Sequence, residues 1–121
     1  EFDFGTKDEG EKAAVLRAFF RTCFAHPAVE GIYLWGFWRG RHWRPNAALW
    51  ERDFTPLPAA EAYRALVFEE WWTRHNGTAD ADGRLTVPVF YGTHRIIAGD
   101  ETRVIAFPRQ IGETLEVDVR E

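Results

Sequence analysis

The sequence predicts an α/β segment followed by a small antiparallel β-sheet, and three observations lead to that fold class. First, an apolar run from Ile32 to Phe37 ends abruptly in a loop rich in tryptophan and cationic residues. A run this apolar is typical of a strand buried on both faces, as in a parallel sheet covered by helices. Second, residues with helical spacing lie on both sides of this run. Third, apolar residues alternate with polar ones after Gly77, which is typical of half-buried strands.

Composition limits the class of protein. The 121 residues (14.0 kDa) suit one domain with at most a small annex, and the formal charge of −4 disfavours a nucleic-acid partner. No apolar run approaches the roughly 20 residues of a membrane span. The single cysteine, Cys23, allows no internal disulfide. Because methionine is absent and the chain begins at Glu1, we expect a segment of a longer protein, in which missing targeting signals carry no meaning.

The first predicted unit is a strand end followed by a helix. Residues 1–4 alternate and precede a glycine, as at the end of a strand. Thr6, with Glu9 three positions later, has the spacing of a capping box, and Asp8, with Glu11, offers a second N-cap. Pro27 then forces the helix to stop. The intervening apolar residues recur at helical spacing: Val15, Leu16, Phe19, Phe20, Cys23 and Phe24.

The second predicted unit begins with a strand over Val29 to Phe37. A strand, a helix and a strand joined by short connections form a βαβ unit, which requires a parallel, right-handed crossover. The long connection from Trp38 to Pro56 has little periodicity, and loops of this length in compact domains are usually functional or disordered. Pro58 suits the first turn of a second helix, and Asn76-Gly77 suits its C-terminal end. The apolar face of that helix comprises Ala62, Tyr63, Leu66, Val67 and Trp71.

In the last third of the chain, the alternation of apolar and polar residues predicts short antiparallel strands. Alternating residues predict strands over 85–91, 95–98, 103–107 and 115–119, and Gly99-Asp100 predicts a tight hairpin turn. We therefore predict two domains, an α/β part over residues 1–75 and a β-sheet annex over residues 78–121.

The loop after the apolar run carries the chemistry that a sugar ligand needs. Pyranose rings present C–H faces that lie on indole rings, and their hydroxyls need charged or amide partners. Trp35, Trp43 and Trp38 provide the platform, and the polar partners are Arg39, Arg41, His42 and Arg44. Tryptophans after a strand are also often simply core residues, so the residues alone leave this open.

Two motifs resemble a known family. Trp35-Gly36, with Trp43 eight positions after the first tryptophan and Arg44 following, resembles the last barrel strand of glycoside hydrolase family 10, the retaining endo-β-1,4-xylanases. Glu1-Phe-Asp3 resembles the Thr-Glu-x-Asp signature on the preceding strand of that family, without its threonine. A helix of suitable length joins the two motifs, and the resemblance covers roughly residues 1–72.

The resemblance implies a fold and roles for individual residues. The family folds as a (β/α)₈ TIM barrel, of which this chain would supply strands seven and eight with their helices, the last two β/α units, followed by the annex. Glu1 matches the catalytic nucleophile, and Asp3 matches the residue that orients it through a histidine. Trp35 and Trp43 match the indoles beside the scissile bond, with Arg44, Trp38, Arg39 and His42 as further substrate-binding candidates.

The same resemblance implies hydrolysis of internal β-1,4 bonds in xylan or a related polymer, with no metal and no organic cofactor. The acid/base glutamate on strand four, the histidine on strand six and the rest of the barrel are expected upstream, so the isolated segment is expected to be inactive. An extracellular or periplasmic location is also implied.

Several alternatives stay open. The loop departs from the family at Arg39 and His42, where many members have an acidic residue and a serine. A non-catalytic carbohydrate-binding or interaction module is the competing class, and a purely structural fragment is a third. We expect His42 to be a hydrogen-bonding loop residue rather than a metal ligand. Residues 80–83 predict a plain turn rather than a calcium loop, and 76–78 predict a helix cap rather than a glycosylation site.

Overall fold

A computed structural model of the chain describes residues 1–108, 112 and 114–119. In chain order its elements are helix α1 (Glu9–Ala25), a short 3₁₀ turn (Pro45–Ala47), helix α2 (Pro58–Ala65) with a π-helical turn (Leu66–Glu70), and strands β1 (Gly92–Ala98) and β2 (Glu101–Phe107). The chain forms two compact units, Glu1–Trp71 and Trp72–Glu121. The predicted domains, 1–75 and 78–121, remain a prediction, since compact units do not establish independent folding.

Helix α1 begins and ends where the sequence predicts. The Asp8 carboxylate accepts a hydrogen bond from the backbone N–H of Glu11, 2.9 Å away, and so caps the first turn. The helix ends at Ala25, two residues before Pro27, because the residue preceding a proline resists helical angles. The structure uses the second of the two predicted N-caps, Asp8 rather than Thr6, and confirms the predicted end of the helix.

Helix α2 packs on α1 through small residues. Ala59, Ala60 and Ala62 are fully buried, and their small size lets the two helices approach closely. Leu66, at the end of α2, is buried in the same core cluster as Leu16 of α1. Each large apolar side chain buried in this way contributes about 1.5–3 kcal/mol. The first unit therefore has a real, though small, apolar core.

The second helix ends earlier than predicted. Its last turn is π-helical, with the backbone N–H of Trp71 bonded to the carbonyl of Leu66 at 2.9 Å. The Trp71 indole then stacks on the ring of Phe24, with centroids 4.0 Å apart and an angle of 5°. The predicted end at Asn76-Gly77, and with it the helix-cap role of residues 76–78, is wrong, because the chain leaves the helix where Trp71 docks on α1.

The opening tetrapeptide lies beside the apolar run, in parallel. Phe2 donates its backbone N–H to the carbonyl of Tyr33 at 2.7 Å and accepts from the N–H of Trp35 at 3.4 Å, so Phe2 and Leu34 form a parallel bridge. The Phe2 ring is buried against Phe19 and the rest of the core. With α1 between the paired segments, this connection has the order of a βαβ unit.

The apolar run is not the continuous, doubly buried strand that the sequence predicts. Within it only Leu34 forms a bridge, to Phe2, and exposure alternates along it. Tyr33, Trp35 and Phe37 are 72%, 57% and 51% exposed. The helices cover one face, and the residues of the other face are covered only in part by the loop that follows. The prediction of burial on both faces is therefore wrong for this chain.

The second unit contains an antiparallel hairpin. β1 pairs with β2 from Gly92 opposite Phe107 to Ala98 opposite Glu101, and Gly99-Asp100 makes the turn, with Gly99 at φ +61°. This confirms the predicted strands over 95–98 and 103–107 and the predicted hairpin.

Two predicted strands are absent from the second unit. Residues 84–91 are irregular, because Pro88 lacks the backbone donor that a ladder needs. Residues 114–119 are also irregular, and no described strand pairs with them. The turn predicted at 80–83 is present, and in it the Asp80 carboxylate accepts from the backbone N–H groups of Asp82 and Arg84. None of the helices described here has both the length and the apolarity to cross a membrane.

A buried lysine joins α1 to the long loop. Lys12 is fully buried, and its ammonium donates to the carbonyls of Asn46 at 2.9 Å and Ala48 at 2.8 Å. The Glu9 carboxylate lies 2.8 Å from the same nitrogen. A buried charge is tolerated only when it is paired and hydrogen-bonded, and here three oxygens surround it. The loop is thus fixed to the first turns of α1.

Replacement of this lysine tests how much the loop depends on it. We expect Lys12→Met to lower the free energy of unfolding by about 3–5 kcal/mol, because it leaves two buried carbonyls without their donor and removes one of the two cations that pair with Glu9. Urea denaturation of the 121-residue chain measures this change. Lys7→Met is the matched control, because Lys7 is exposed. Equal effects of the two substitutions would contradict a structural role for Lys12.

Candidate functional site

Two distant segments contribute to the face that the helices leave uncovered. Successive residues of extended backbone point to opposite sides. Since Phe2 and Leu34 face the core, the flanking positions Glu1, Asp3 and Trp35 belong to the opposite face. The parallel bridge therefore places both acidic residues of the opening motif on the same side as the first tryptophan of the loop.

A shallow pocket of about 210 Å³ opens at the end of this face. It brings together three of the predicted substrate-binding residues, Trp35, Trp38 and His42. Arg41, a polar partner in the sequence interpretation, also lines it, and the remaining wall is formed by Gly36 and Phe37. Aromatic walls with a few polar groups are typical of small-molecule sites.

Gly36 permits the turn that forms this pocket. Its φ of +143° lies in a region that residues with a side chain rarely adopt. A Cβ atom added there would lie 3.1 Å from Cδ2 of His42. The chain therefore needs glycine at position 36 both for its backbone angle and for the close approach of the imidazole.

The loop brings His42 and Arg44 to the carboxylate of Asp3. Nε2 of His42 lies 3.9 Å from Oδ1 of Asp3, and Nη1 of Arg44 lies 3.7 Å from Oδ2. The His42 side chain is only 1% exposed and that of Asp3 16%. These two candidates from the loop are thus adjacent to one candidate from the opening motif, 39 or more positions earlier in the sequence.

Trp43 lies outside the pocket wall. Its side chain is 66% exposed, and the guanidinium of Arg44 lies 5.5 Å from the centre of its ring. A cation over an indole at this distance is attracted by the ring quadrupole. The indole therefore keeps one face against Arg44 and remains open to solvent elsewhere.

Trp38 is held by the far side of the loop. Its ring stacks on Phe54, with centroids 5.2 Å apart and an angle of 5°, and its indole N–H donates to the carbonyl of Arg52 at 3.1 Å. Phe54 has a φ of +65°, unusual for a bulky residue. The backbone N–H of Thr55 donates to the Asp53 carboxylate at 3.0 Å in the same turn.

The Asp53 turn is sensitive to acid. The hydrogen bonds from the backbone N–H and then the hydroxyl of Thr55 lower the pKa of Asp53. Because the pKa is lower in the folded chain than in the unfolded one, the contribution of these bonds is complete above the ordinary aspartate range and is lost as the pH falls through the folded pKa. The turn that supports Trp38 is therefore weakest in acid.

The Arg39 side chain pairs with carboxylates of α1 and of the loop. Its guanidinium forms ion pairs with the carboxylates of Glu51 and of Glu9, the latter at 2.9 Å. Since Glu9 also contacts Lys12, a continuous chain of charges links α1 to both ends of the loop. The structure therefore places the Arg39 side chain in the support of the loop.

Six of the eight predicted site residues fall into three groups, and Arg39 and Trp43 lie outside them. His42 and Asp3 are adjacent, with Arg44 beside them. Trp35, Trp38 and His42 share the pocket. Glu1 is exposed and lies on the same face as Trp35, although it does not line the pocket. Among the described residues no group of three or more histidine, cysteine, aspartate or glutamate side chains could hold a metal ion.

Sequence reasoning missed the residues that hold the loop. The sequence analysis gives no role to Lys12 or Glu51, and it takes Glu9 as the partner of Thr6 in a capping box. One signal was available, because Lys12 lies four and eight positions before Leu16 and Phe20, on the buried stripe of α1. A charged residue at a core position of a helix indicates a buried polar contact.

Comparison with known proteins finds relatives that match most of the chain. The chain is 41% identical over 97 residues to the anti-sigma-I factor RsgI6 of Acetivibrio thermocellus, and the matched region covers 79% of this chain and 13% of that protein. It is 31% identical over 96 residues to endo-1,4-beta-xylanase 3 of Arabidopsis thaliana, again 79% of this chain and 13% of the relative. Endo-1,4-beta-xylanase B of Cellvibrio japonicus is 36% identical over 59 residues, 49% of this chain and 10% of the relative.

This chain has xylanases among its homologues. The identities are modest, and the chain spans only about an eighth to a tenth of the length of these relatives. No protein-family model matches the chain. The comparisons therefore support a relationship to xylanases, which is the coarser part of what the sequence motifs predict.

The dependence on Gly36 gives a testable consequence. We expect Gly36→Ala to destabilise the chain by about 1–3 kcal/mol, because alanine strains the backbone and its Cβ presses on His42. Thermal unfolding followed by circular dichroism measures the effect. Gly31→Ala is the control, because the nearest atom to its added Cβ would be at 3.4 Å, an ordinary contact. Equal stabilities of the two variants would contradict the role of Gly36.

Proposed function

We propose that the chain is the C-terminal part of the barrel of a retaining glycoside hydrolase of family 10, followed by a small β annex. The parent protein hydrolyses internal β-1,4 bonds in xylan or a related polysaccharide. The observation that carries the proposal is the parallel pairing of Phe2 with Leu34, which places Glu1, Asp3 and Trp35 on one face. The homologues named endo-1,4-beta-xylanase add support.

The uncovered face suits the interior of a barrel. In a (β/α)₈ barrel, helices cover the outside of each strand, and the other side chains fill the inside or line the upper rim. Here α1 and α2 cover one side of the paired segments, and Tyr33, Trp35 and Phe37 are exposed on the other. On this proposal, the remaining six strands of the parent protein cover the exposed face. The short bridges then become continuous ladders.

In the proposed mechanism Glu1 attacks the anomeric carbon of the sugar. A retaining glycosidase needs a second carboxyl group about 5–5.5 Å from the nucleophile, which first protonates the leaving oxygen and then activates water. By the family resemblance this acid/base glutamate lies on strand four, upstream of this chain. The glycosidic C–O bond breaks as the Glu1–sugar ester forms, and water then releases the sugar with its original configuration.

The aromatic residues of the loop would bind the sugar ring. Trp35 forms a wall of the pocket, and Trp43 presents an indole that is largely open to solvent. An indole face provides a large, rigid apolar surface for sugar C–H groups at little entropic cost. Arg41, at the pocket wall, would then bond the hydroxyls.

The nucleophile assignment is tested in the parent protein. We expect Glu1→Ala to lower kcat on xylan by about 10³-fold or more, because the covalent intermediate cannot form. Added azide should then restore turnover of an activated β-xylobioside and give the α-glycosyl azide, since a small anion occupies the space of the lost carboxylate. Glu30→Ala is the control, because Glu30 is exposed in the connection after α1. Wild-type activity in Glu1→Ala would contradict the assignment.

The sugar platform is tested separately in the 121-residue chain. We expect xylohexaose, in the millimolar range, to shift the NMR signals of the Trp35 and Trp43 indoles. Trp35→Ala and Trp43→Ala should each weaken binding about fivefold, which corresponds to about 1 kcal/mol for a lost aromatic contact. Trp72→Ala is the matched control, because Trp72 is 57% exposed but lies in the second unit. Equal effects of all three substitutions would contradict a specific platform.

These two experiments also separate the proposal from its alternative, a carbohydrate-binding or interaction module without catalysis. Such a module would retain the tryptophan-dependent binding and show no effect of Glu1→Ala on any hydrolysis. Azide-dependent product from the Glu1 variant would exclude it.

A further inference from the structure

One carboxylate oxygen in the candidate site lacks a partner. Oδ1 of Asp3 is buried, and no described residue donates a hydrogen bond to it. A buried carboxylate oxygen without a donor is unfavourable, because its lost hydration is not replaced. Nε2 of His42 lies 3.9 Å away and is a potential donor to it.

The other ring nitrogen of His42 determines which of the two carries the proton. The backbone N–H of Arg44 donates to Nδ1 of His42 at 3.0 Å, so Nδ1 acts as an acceptor and is unprotonated. In a neutral imidazole the proton then lies on Nε2. The backbone of the loop itself therefore selects the tautomer that presents an N–H toward Asp3.

The surroundings hold the ring in this orientation. The His42 side chain is 1% exposed, and the backbone of Gly36 packs against it so closely that a Cβ there would lie 3.1 Å from the ring. The separation of 3.9 Å exceeds that of a hydrogen bond, and a shift of about 1 Å brings it into range. Because the imidazole is enclosed, the adjustment would come from the Asp3 side chain, which is 16% exposed.

We propose that His42 is a positioning residue for Asp3. Its Nε2–H closes onto Oδ1 of Asp3, while Arg44 screens Oδ2 from the solvent side, 3.7 Å away. Asp3 is thereby fixed two positions after Glu1, on the face shared with Trp35. This inference rests on the proposed function for the role of Asp3. It adds a histidine from the loop of this chain to the support of that carboxylate, in addition to the upstream histidine that the resemblance implies.

The pairing is tested first by NMR of the ¹⁵N-labelled 121-residue chain. At about pH 8, where histidine side chains are ordinarily neutral, we expect the ring nitrogens of His42 to show the Nε2–H tautomer. Asp3→Ala should move the Nε2 proton resonance upfield, whereas Asp3→Asn, which keeps an acceptor oxygen, should leave it near its original position. The other three histidines, His26, His75 and His94, are internal references. An Nδ1–H tautomer, or a resonance insensitive to Asp3→Ala in a folded chain, would overturn the proposal.

The functional consequence is tested in the parent protein. Glutamine at position 42 can place an amide N–H near the position of Nε2, whereas asparagine is too short. We expect His42→Asn to lower kcat about tenfold with little change in KM, and His42→Gln to restore most of the loss. Equal losses in both variants would overturn the positioning role.

The two parts of this test distinguish the inference from the proposed function. If the parent protein shows no hydrolysis, the proposed function fails, and the NMR result still decides whether His42 donates to Asp3. If Glu1→Ala abolishes hydrolysis but the Nε2 proton resonance of His42 does not move in Asp3→Ala, the glycosidase assignment stands and the positioning role is overturned.

Discussion

The candidate site depends on the backbone pairing of Phe2 with the segment around Leu34. Two hydrogen bonds and one buried phenylalanine ring fix the opening residues beside the start of the tryptophan-rich loop. Because side chains alternate along extended backbone, the burial of Phe2 decides where its two acidic neighbours point. A register shift of one residue would turn Glu1 and Asp3 toward the helices. The chemistry proposed for this face therefore follows from an apolar contact on the other face.

A second constraint holds the irregular loop in place. Residues 38–56 contain little regular structure, yet the carbonyls of Asn46 and Ala48 accept hydrogen bonds from Lys12. Arg39, itself a loop residue, pairs with Glu9 of α1 and with Glu51. Ion pairs of this kind contribute less to net stability than their contacts suggest, because both charges lose hydration. Their value is geometric, since an alternative loop position would leave a buried ammonium without acceptors. By contrast, the exposed pair of Arg21 and Glu70, whose hydrogen bond lowers the pKa of the glutamate, adds little.

Much of the fold follows from local signals in the sequence, and the failures have physical causes. The limits of α1 follow from Asp8 and Pro27, and the hairpin follows from Gly99-Asp100, because caps and turns are set by neighbouring residues. Some strand predictions failed because a strand depends on a partner, and around Leu34 only a single bridge to Phe2 forms. The strand predicted over 85–91 failed because Pro88 lacks the backbone donor that a ladder needs. The proximity of His42 to Asp3 was also beyond sequence reasoning, since no local pattern relates positions 39 residues apart.

Residues 1–3 lie parallel to residues 33–35, so that Glu1, Asp3 and Trp35 share the face opposite the helices. NMR of the 121-residue chain tests this pairing through inter-strand nuclear Overhauser effects and amide hydrogen exchange at Phe2. We expect contacts between the backbone protons of Phe2 and those of residues 33–35, together with slow exchange of the Phe2 amide. Fast exchange at Phe2 without any contact between these segments would refute the parallel pairing.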